Sequence, residues 1–203
     1  MIQVYGSRAN RAFRTYWMLE ELGLSYESHP LDTQGGETRT EEFLRINPNG
    51  HVPTLVEGDT VVWESMAINL YLARKHGGEL APTSPEADAV ALQWSFWAIT
   101  EVEGELLRYG MNTQFLPEGE RDAKAAAEAQ EKLQGSLSVL DRELEKRDYL
   151  AGDHFGVVDL NVAAVLQWTR LVSFDTSAFA RLERWLDACL SRPAAQRVSA
   201  AAQ

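Results

Sequence analysis

The chain has 203 residues and a formal net charge of −11, and 45% of its residues are hydrophobic. That apolar share is enough for a packed core. No apolar run approaches the roughly 18 residues of a membrane helix, and the first residues lack the layout of a signal peptide. The negative charge argues against nucleic acid or an anionic membrane as a partner, because phosphate-rich partners are bound by neutralising their charge.

Short strand and helix patterns alternate in the first part of the sequence. The expected elements are strands at 2–5, 25–30, 52–55 and 60–63, and helices at 11–22, 41–46 and 66–76. The helix between the first two strands makes them parallel neighbours. This βαβ-α-ββα order is that of a thioredoxin-like α/β domain, which we place at residues 1–77.

A second, all-helical domain is expected after a linker. Glycine, proline and polar residues mark the linker at 78–86, and no strand pattern follows it. Residues 87–203 therefore predict an all-α bundle, with helices at 87–107, 121–146, 157–172 and 178–191. Asp159, three residues after Gly156, is expected to cap the start of the third of these helices rather than to do chemistry.

Cysteine and histidine exclude two further classes of site. Cys189 is the only cysteine, so no internal disulfide can form, and a cytoplasmic location is expected. Its apolar helical context predicts a buried structural thiol. The histidines (His29, His51, His76 and His154) lack the spacing of metal ligands, so no metal is expected.

The stretch around Pro53 combines two features that suit a peptide ligand. Proline cannot donate to a strand ladder, so Pro53 at the mouth of a strand predicts a turn with a cis bond. Such a turn leaves the backbone N–H and C=O of Val52 free to pair with an extended peptide. Ser65 stands at a helix start, where N–H groups and a hydroxyl favour an anion.

Local basicity near the start of the chain has two interpretations. The first 19 residues carry Arg8, Arg11 and Arg14 and no acidic residue. These arginines either draw an anionic peptide to this end of an acidic protein or are solvated side chains at a helix start. The sequence leaves both interpretations open.

Several segments together resemble the cytosolic glutathione transferase family of the bacterial type. They are NPNGHVPTL at 47–55, the Glu64-Ser65 pair, VYGSRANRAFRTYWMLEELGL at 4–24, LAGDHFGVVDLNVAAVL at 150–166 and SRPAAQR at 191–197. Each segment alone is a weak signal, but their order and spacing span nearly the whole chain. The resemblance implies glutathione as co-substrate, a homodimer, and conjugation of the thiol to small hydrophobic electrophiles.

The resemblance also implies roles for individual residues. The Val52 backbone would pair with the cysteinyl part of glutathione, and Pro53 would hold the cis turn. Glu64 would meet the γ-glutamyl amine and Ser65 its carboxylate. His51 would lie near the glycyl carboxylate, or it is a solvated loop histidine.

Asn10 and Ser7 are the candidate donors to the glutathione sulfur. When the sequence is aligned on LEELGL, the catalytic serine of many bacterial relatives falls on Asn10. Asn10 cannot act as a base, but its NH₂ can donate to a thiolate; its other interpretation is a helix cap. Ser7 lies three residues earlier. The absence of cysteine here argues against a mixed-disulfide mechanism.

The departure at Asn10 leaves the activity open between three alternatives. They are a transferase, a glutathione-dependent peroxidase or reductase, and a non-catalytic glutathione-binding stress-related protein. The electrophile would need an apolar slot, for which Trp97, Tyr109, Met111 and Trp168 are candidates, although aromatic residues on helices more often belong to a core.

Overall fold

The computed structural model describes residues 1–202, and the chain divides into two compact units. Unit 1 consists of Met1–Ala81 together with the chain from Ser191 onward, and unit 2 is Pro82–Leu190. The domain limits of 1–77 and 87–203 stay a prediction, but the structure places the last helix in unit 1 rather than with the bundle. The expected linker contains a 3₁₀ turn at Gly78–Leu80.

Unit 1 is built on a single mixed sheet within residues 1–202. Its strands are β1 (Ile2–Tyr5), β2 (Tyr26–His29), β3 (Thr54–Glu57) and β4 (Thr60–Trp63), in the spatial order β2-β1-β3-β4. β1 is parallel to β2 and antiparallel to β3, and β3 is antiparallel to β4. With α1 (Phe13–Glu21), α2 (Glu41–Ile46) and α3 (Ser65–His76), the predicted βαβ-α-ββα order is confirmed.

Helix α1 forms the centre of the core of unit 1. Tyr16, Trp17 and Leu19 are fully buried, as the three- and four-residue spacing of apolar side chains predicts. The helix begins at Phe13, two residues later than expected. The reason is local: the Asn10 side-chain oxygen accepts the N–H of Ala12 at 2.9 Å, which forms a turn instead of the first helical turn.

The last helix, α10 (Pro193–Ala200), packs against α1 within unit 1. Arg192 donates from Nε and Nη2 to the two carboxylate oxygens of Glu21, each at 2.7 Å. Arg197 Nε donates to Glu20 Oε2 at 2.9 Å, and this hydrogen bond is the main cause that lowers the pKa of Glu20. Two-point arginine–carboxylate pairs fix orientation as well as distance, so α10 is held in a defined place on α1.

Unit 2 is helical throughout its regular structure. Its helices are α4 (Pro85–Trp97), α5 (Gly104–Gly110), α6 (Ala123–Glu143), α7 (Val157–Leu166), α8 (Trp168–Leu171) and α9 (Ala180–Leu190). Wider π-helical turns at Ala98–Glu103 and Met111–Phe115 continue α4 and α5. The helix expected over 87–107 therefore starts at Pro85, capped by Ser84, and runs beyond residue 107.

Helix α7 lies at the centre of unit 2, and all of its residues are buried. At its start Asp159 accepts from the Leu150 N–H at 2.9 Å, Trp185 Nε1 at 3.0 Å and the Gly156 N–H at 3.1 Å. Burial is the largest cause that raises the pKa of Asp159, to about 6. Two of these donors are backbone N–H groups in the loop before α7, and the third is a side chain of α9. Asp159 therefore connects that loop and α9 to the start of α7.

None of the helices that the structure describes is long and apolar enough to cross a membrane. Between residues 1 and 202, no three His, Cys, Asp or Glu side chains are grouped as metal ligands would be. Cys189 is buried and is not part of a disulfide.

Candidate active site

The sheet register brings the predicted site residues of unit 1 to one edge. Tyr5, the last residue of β1, pairs with Thr54, the first of β3, and Thr54 pairs with Trp63, the last of β4. The loop after Tyr5, the turn before Thr54 and the residues after Trp63 therefore all leave the sheet at the same end. Three segments separated in sequence meet there because two antiparallel pairings share one residue.

The turn before β3 has the expected cis bond between Val52 and Pro53. Neither the backbone N–H nor the C=O of Val52 is hydrogen-bonded to another group within residues 1–202. Pro53 is buried, whereas Val52 is half-exposed. Val52 therefore presents a free backbone donor and a free acceptor at the edge where the other candidate residues converge.

Asn47 shapes this turn, a role that was not predicted from the sequence. Its side chain is almost fully buried. Its amide nitrogen donates to the His51 carbonyl at 2.8 Å and to Thr54 Oγ1 at 3.0 Å, and its amide oxygen accepts the Asn49 N–H at 3.0 Å. One amide thus fixes both ends of the loop that carries Val52. The asparagine directly after α2 was the available sequence signal.

His51 is exposed on the same loop. The guanidinium of Arg39 lies against this loop: Nη1 donates to the Asn49 carbonyl at 3.1 Å, and a side chain at Gly50 would come within 2.6 Å of the same nitrogen. Arg39 therefore places a cation on the loop that carries His51, and nothing in its sequence context pointed to it.

Glu64 and Ser65 form the start of α3. Glu64 has φ +72°, a left-handed backbone conformation that is costly for a residue with a side chain. Its carbonyl accepts the Ile68 N–H at 2.9 Å, while its carboxylate side chain is exposed. A strained backbone conformation persists only where the surrounding structure holds it in place. Here the strained residue is the one directly before α3, a helix of 12 residues.

Ser65 is buried beside a buried cation. The Ser65 hydroxyl accepts from Arg14 Nη1 at 3.3 Å, and Arg14 is only 1% exposed. Asn69, also fully buried, donates to the Arg14 carbonyl at 3.2 Å and holds α1 against α3. A hydroxyl, helix N–H groups and a guanidinium together favour an anion. In the sequence Arg14 stands out only as an arginine at a helix start, because its partner Ser65 lies 51 positions away.

Asn10 and Ser7 lie in the loop after β1 and are half-buried. Each uses its side-chain oxygen to accept a local backbone N–H: Ser7 Oγ from Ala9 at 3.2 Å, and Asn10 Oδ1 from Ala12 at 2.9 Å. Oxygen capping leaves the Asn10 NH₂ and the Ser7 O–H as the groups that can still donate. The capping interpretation and the donor interpretation of Asn10 are therefore compatible.

Gly6 brings the Asn10 loop against the proline turn. It has φ +128°, and a Cβ built on it would lie 2.8 Å from Ala12 Cβ, 3.1 Å from Val52 Cβ and 3.5 Å from Asn10 Oδ1. Only glycine fits this meeting point. Asn10 and Val52 are consequently neighbours, as a site that holds a cysteinyl backbone and its sulfur requires.

The candidates for the apolar slot belong to unit 2. Trp97, Tyr109, Met111 and Trp168 are all half-buried. Trp97 packs edge-on against Trp94, with ring centroids 5.0 Å apart, and Tyr109 against Phe174 at 5.1 Å. These pairs anchor one side of each ring in the helical core and leave part of it accessible.

Comparison with known proteins identifies the family. The model described as "Glutathione S-transferase, N-terminal domain" matches residues 1–74, and "Glutathione S-transferase, C-terminal domain" matches residues 88–193. The chain belongs to the glutathione S-transferase family. The predicted family resemblance and the two-part fold class are thus confirmed.

Glutathione S-transferases from distant organisms are similar over nearly the whole chain. GstB of Escherichia coli K12 is 32% identical over 98% of this chain and 97% of its own, and glutathione S-transferase D7 of Drosophila melanogaster is 32% identical over 88% and 78%. The theta class glutathione S-transferase of Xanthomonas axonopodis pv. citri, solved with glutathione bound, superposes with a TM-score of 0.89 at 30% identity, over 97% and 95% of the two chains.

Proposed function

We propose that this glutathione S-transferase binds glutathione at the sheet edge of unit 1, stabilises its thiolate, and conjugates it to a small hydrophobic electrophile. The observation that carries the proposal is the convergence of the free Val52 backbone, the Ser65–Arg14 pair and the Asn10 amide at this edge. The Val52 backbone suits an extended peptide, the Ser65–Arg14 pair suits a carboxylate, and the Asn10 amide suits a sulfur anion.

Each recognition step follows from charge and hydrogen bonding. The Val52 N–H and C=O pair with the cysteinyl residue, and Pro53 keeps that backbone presented. Ser65 donates to the γ-glutamyl carboxylate, and the exposed Glu64 carboxylate accepts from the γ-glutamyl ammonium group. His51 supplies a donor for the glycyl carboxylate. No metal takes part in this scheme.

The chemical step requires a thiolate. A free thiol has a pKa of about 8.5, and lowering it by about two units takes roughly 2.7 kcal/mol of preferential anion stabilisation. One or two hydrogen bonds to the sulfur supply that amount, from the Asn10 NH₂ or the Ser7 hydroxyl. The thiol proton leaves to solvent, the sulfur forms a bond to the electrophilic carbon, and the leaving group departs with its electron pair.

The proposal is tested by titrating the thiol of bound glutathione. We expect a pKa about two units below that of free glutathione in the wild type, and a smaller lowering in Asn10→Ala or Ser7→Ala, depending on which donates. Asn112→Ala is a matched control, because this asparagine also bonds local backbone but belongs to unit 2. An unshifted thiol pKa in the wild type would overturn the proposal.

One specific observation favours a second candidate. The side-chain oxygens of Ser7 and Asn10 both accept hydrogen bonds from nearby backbone N–H groups. Such hydrogen bonds are also found in loops whose polar side chains only stabilise the loop conformation. A non-catalytic glutathione-binding protein would retain glutathione but turn over neither a chlorinated nitroaromatic nor an organic hydroperoxide. Turnover of the hydroperoxide alone would favour a peroxidase instead.

A homodimer in the cytoplasm is part of the proposal. Unit 2 exposes the large apolar side chains of Phe96, Ile99 and Leu107, with Phe96 66% exposed, and β4 exposes Val61 and Trp63. Exposed apolar surface is what a protein partner covers, and a lone buried cysteine suits a reducing compartment. Sedimentation at twice 22.7 kDa supports the dimer, and Phe96→Glu is expected to yield monomers.

A further inference from the structure

The carbonyl of Gly6, at the start of the loop that carries Asn10, is hydrogen-bonded by a buried phenol. Tyr16 is fully buried, and its hydroxyl lies 2.9 Å from the Gly6 carbonyl, 3.4 Å from the Val4 carbonyl and 2.6 Å from Ser28 Oγ. A phenol has one proton, and carbonyls only accept. Tyr16 therefore donates to the backbone, chiefly to Gly6, and Ser28 donates to Tyr16.

This donor keeps its proton across the working range of the site. Burial is the largest cause that raises the pKa of Tyr16, and it outweighs the lowering by the Ser28 hydrogen bond and by the Arg8 charge. The phenol thus donates at every pH at which a glutathione thiol would titrate. The anchor under Gly6 is permanent rather than switched by pH.

Arg8, a residue of the same loop, contacts two tyrosines. The Arg8 guanidinium carbon lies 4.3 Å from the Tyr16 ring centroid, which is a cation–π contact. Arg8 Nη2 donates to the Tyr26 hydroxyl at 3.1 Å, and that hydroxyl donates to Glu20 Oε1 at 2.9 Å. Arg8 is therefore held on two tyrosines, two residues before Asn10.

The loop between these anchors touches both proposed glutathione contacts. Gly6 packs between Asn10 and Val52 with no room for a methyl group, so a shift of its carbonyl displaces one or the other. We propose that Tyr16 and Arg8 are positioning residues that fix the Gly6–Asn10 loop and thereby the hydrogen bond given to the glutathione sulfur. This inference rests on the proposed function, since it assumes that glutathione binds at this edge.

Tyr16→Phe tests the inference with the smallest change. It removes one hydroxyl and keeps the ring on which Arg8 stacks. We expect the thiol pKa of bound glutathione to rise by about one unit, half of the proposed lowering, and kcat below that pKa to fall about tenfold and recover at higher pH. Arg8→Ala is expected to raise the same pKa, and Arg8→Lys to raise it less.

Tyr71→Phe is the matched control. It also removes a phenol hydroxyl from unit 1, one that donates to Glu57 Oε2 at 2.9 Å on the side of α3. A merely structural role for Tyr16 predicts that both variants lose stability and that neither shifts the thiol pKa. Positioning predicts a shift for Tyr16→Phe alone.

The outcomes separate this inference from the proposed function. If the wild type leaves the thiol pKa unshifted, the proposed function fails. If the wild type lowers it and Tyr16→Phe and Arg8→Ala lower it equally, the positioning role fails while the proposed function stands. Should Tyr16→Phe not fold, Arg8→Ala and Arg8→Lys decide the question by the same titration, because both keep the phenol and change only the side chain stacked on it.

Discussion

Ser65 is the first residue of α3, and its hydroxyl accepts a hydrogen bond from the buried guanidinium of Arg14. Ser65→Ala removes a donor to the proposed γ-glutamyl carboxylate. A hydrogen bond to a charged group contributes roughly 1.5–3 kcal/mol, so we expect the dissociation constant of glutathione to rise about 10- to 100-fold. Calorimetric titration with glutathione measures this change.

The control for Ser65→Ala is another helix-start serine. Ser84 caps α4 by accepting the Ala87 N–H at 3.2 Å, so Ser84→Ala is expected to cost about 1 kcal/mol of stability and to leave the dissociation constant unchanged. Similar dissociation constants for the two variants would show that the Ser65 hydroxyl only accepts the Arg14 hydrogen bond and does not contact glutathione.

Asp159 gives the protein a predictable dependence of stability on pH. Its pKa is raised from 3.8 to about 6 in the folded protein, mainly by burial. Between these values the folded state holds a proton that the unfolded state has released. The contribution of Asp159 to stability is therefore complete below about pH 4 and is lost as the pH rises through about 6, by about 3 kcal/mol.

Asp159→Asn isolates this effect, because the amide does not titrate. Urea unfolding of both proteins from about pH 4 to pH 7 should show the stability of the wild type falling relative to the variant. Asp159→Ala leaves three donors in the fold without their acceptor, and we expect it to lose roughly 2–4 kcal/mol with glutathione binding intact. A difference between wild type and Asp159→Asn that stays flat with pH would contradict the assignment.

At this scale the sequence predicted residues whose chemistry is local. The cis bond at Pro53 and the capping role of Asp159 follow from their immediate neighbours. Arg14 and Asn47 did not stand out, because their importance comes from partners in tertiary structure: Arg14 reaches Ser65 only after α1 packs on α3. The assignments of Asn10, Ser7, His51, Glu64 and Ser65 to glutathione stay predictions.

Among the elements, two helical glycines are expected to respond in opposite ways to alanine. A Cβ at Gly110, in α5, would lie 2.5 Å from Val172 Cγ1 and 2.8 Å from Phe115 Cε2, so Gly110→Ala should destabilise by about 1–3 kcal/mol. Gly135, exposed within α6, has open space around it, so Gly135→Ala should stabilise by about 0.5–1 kcal/mol.

Thermal and urea unfolding of the two glycine variants measure both effects, and each variant is the control for the other. Because the substitution is identical, a general effect of alanine on helices cancels in the comparison. Two changes of the same sign would mean that the space around Gly110 can relax.

Element order was predictable, whereas helix ends were not. Periodicity gave α2 and β4 with their observed bounds, because each is short and bounded by turn residues. The start of α1 moved because the Asn10 side chain competes for backbone N–H groups. Beyond Leu107 the helix continues through a π-helical turn, whose wider repeat leaves no simple apolar period in the sequence.

For the whole molecule, the net charge of −11 opposes the approach of glutathione, whose two carboxylates and one ammonium leave a net negative charge. Of the three early arginines, Arg14 is buried and Arg8 is stacked on tyrosines, which leaves Arg11 exposed. We therefore expect the overall field to dominate. Raising ionic strength from about 10 to 150 mM should lower the KM for glutathione, by less than about tenfold.

A neutral electrophile provides the control within the same assay, because its KM should not change with salt. A KM for glutathione that rises with salt would instead mean that the local arginines attract the ligand, the other interpretation of the early basic residues.

The unit that holds the proposed site is interrupted by the whole of Pro82–Leu190. During translation the ribosome releases Met1–Ala81 long before Arg192 exists to meet Glu21. While unit 2 is being synthesised, the face of α1 that α10 covers in the folded protein has no α10 to pack against. Unit 1 thus begins before unit 2 in the chain but is completed only after it, and its first segment needs shielding from other chains until α10 has been made.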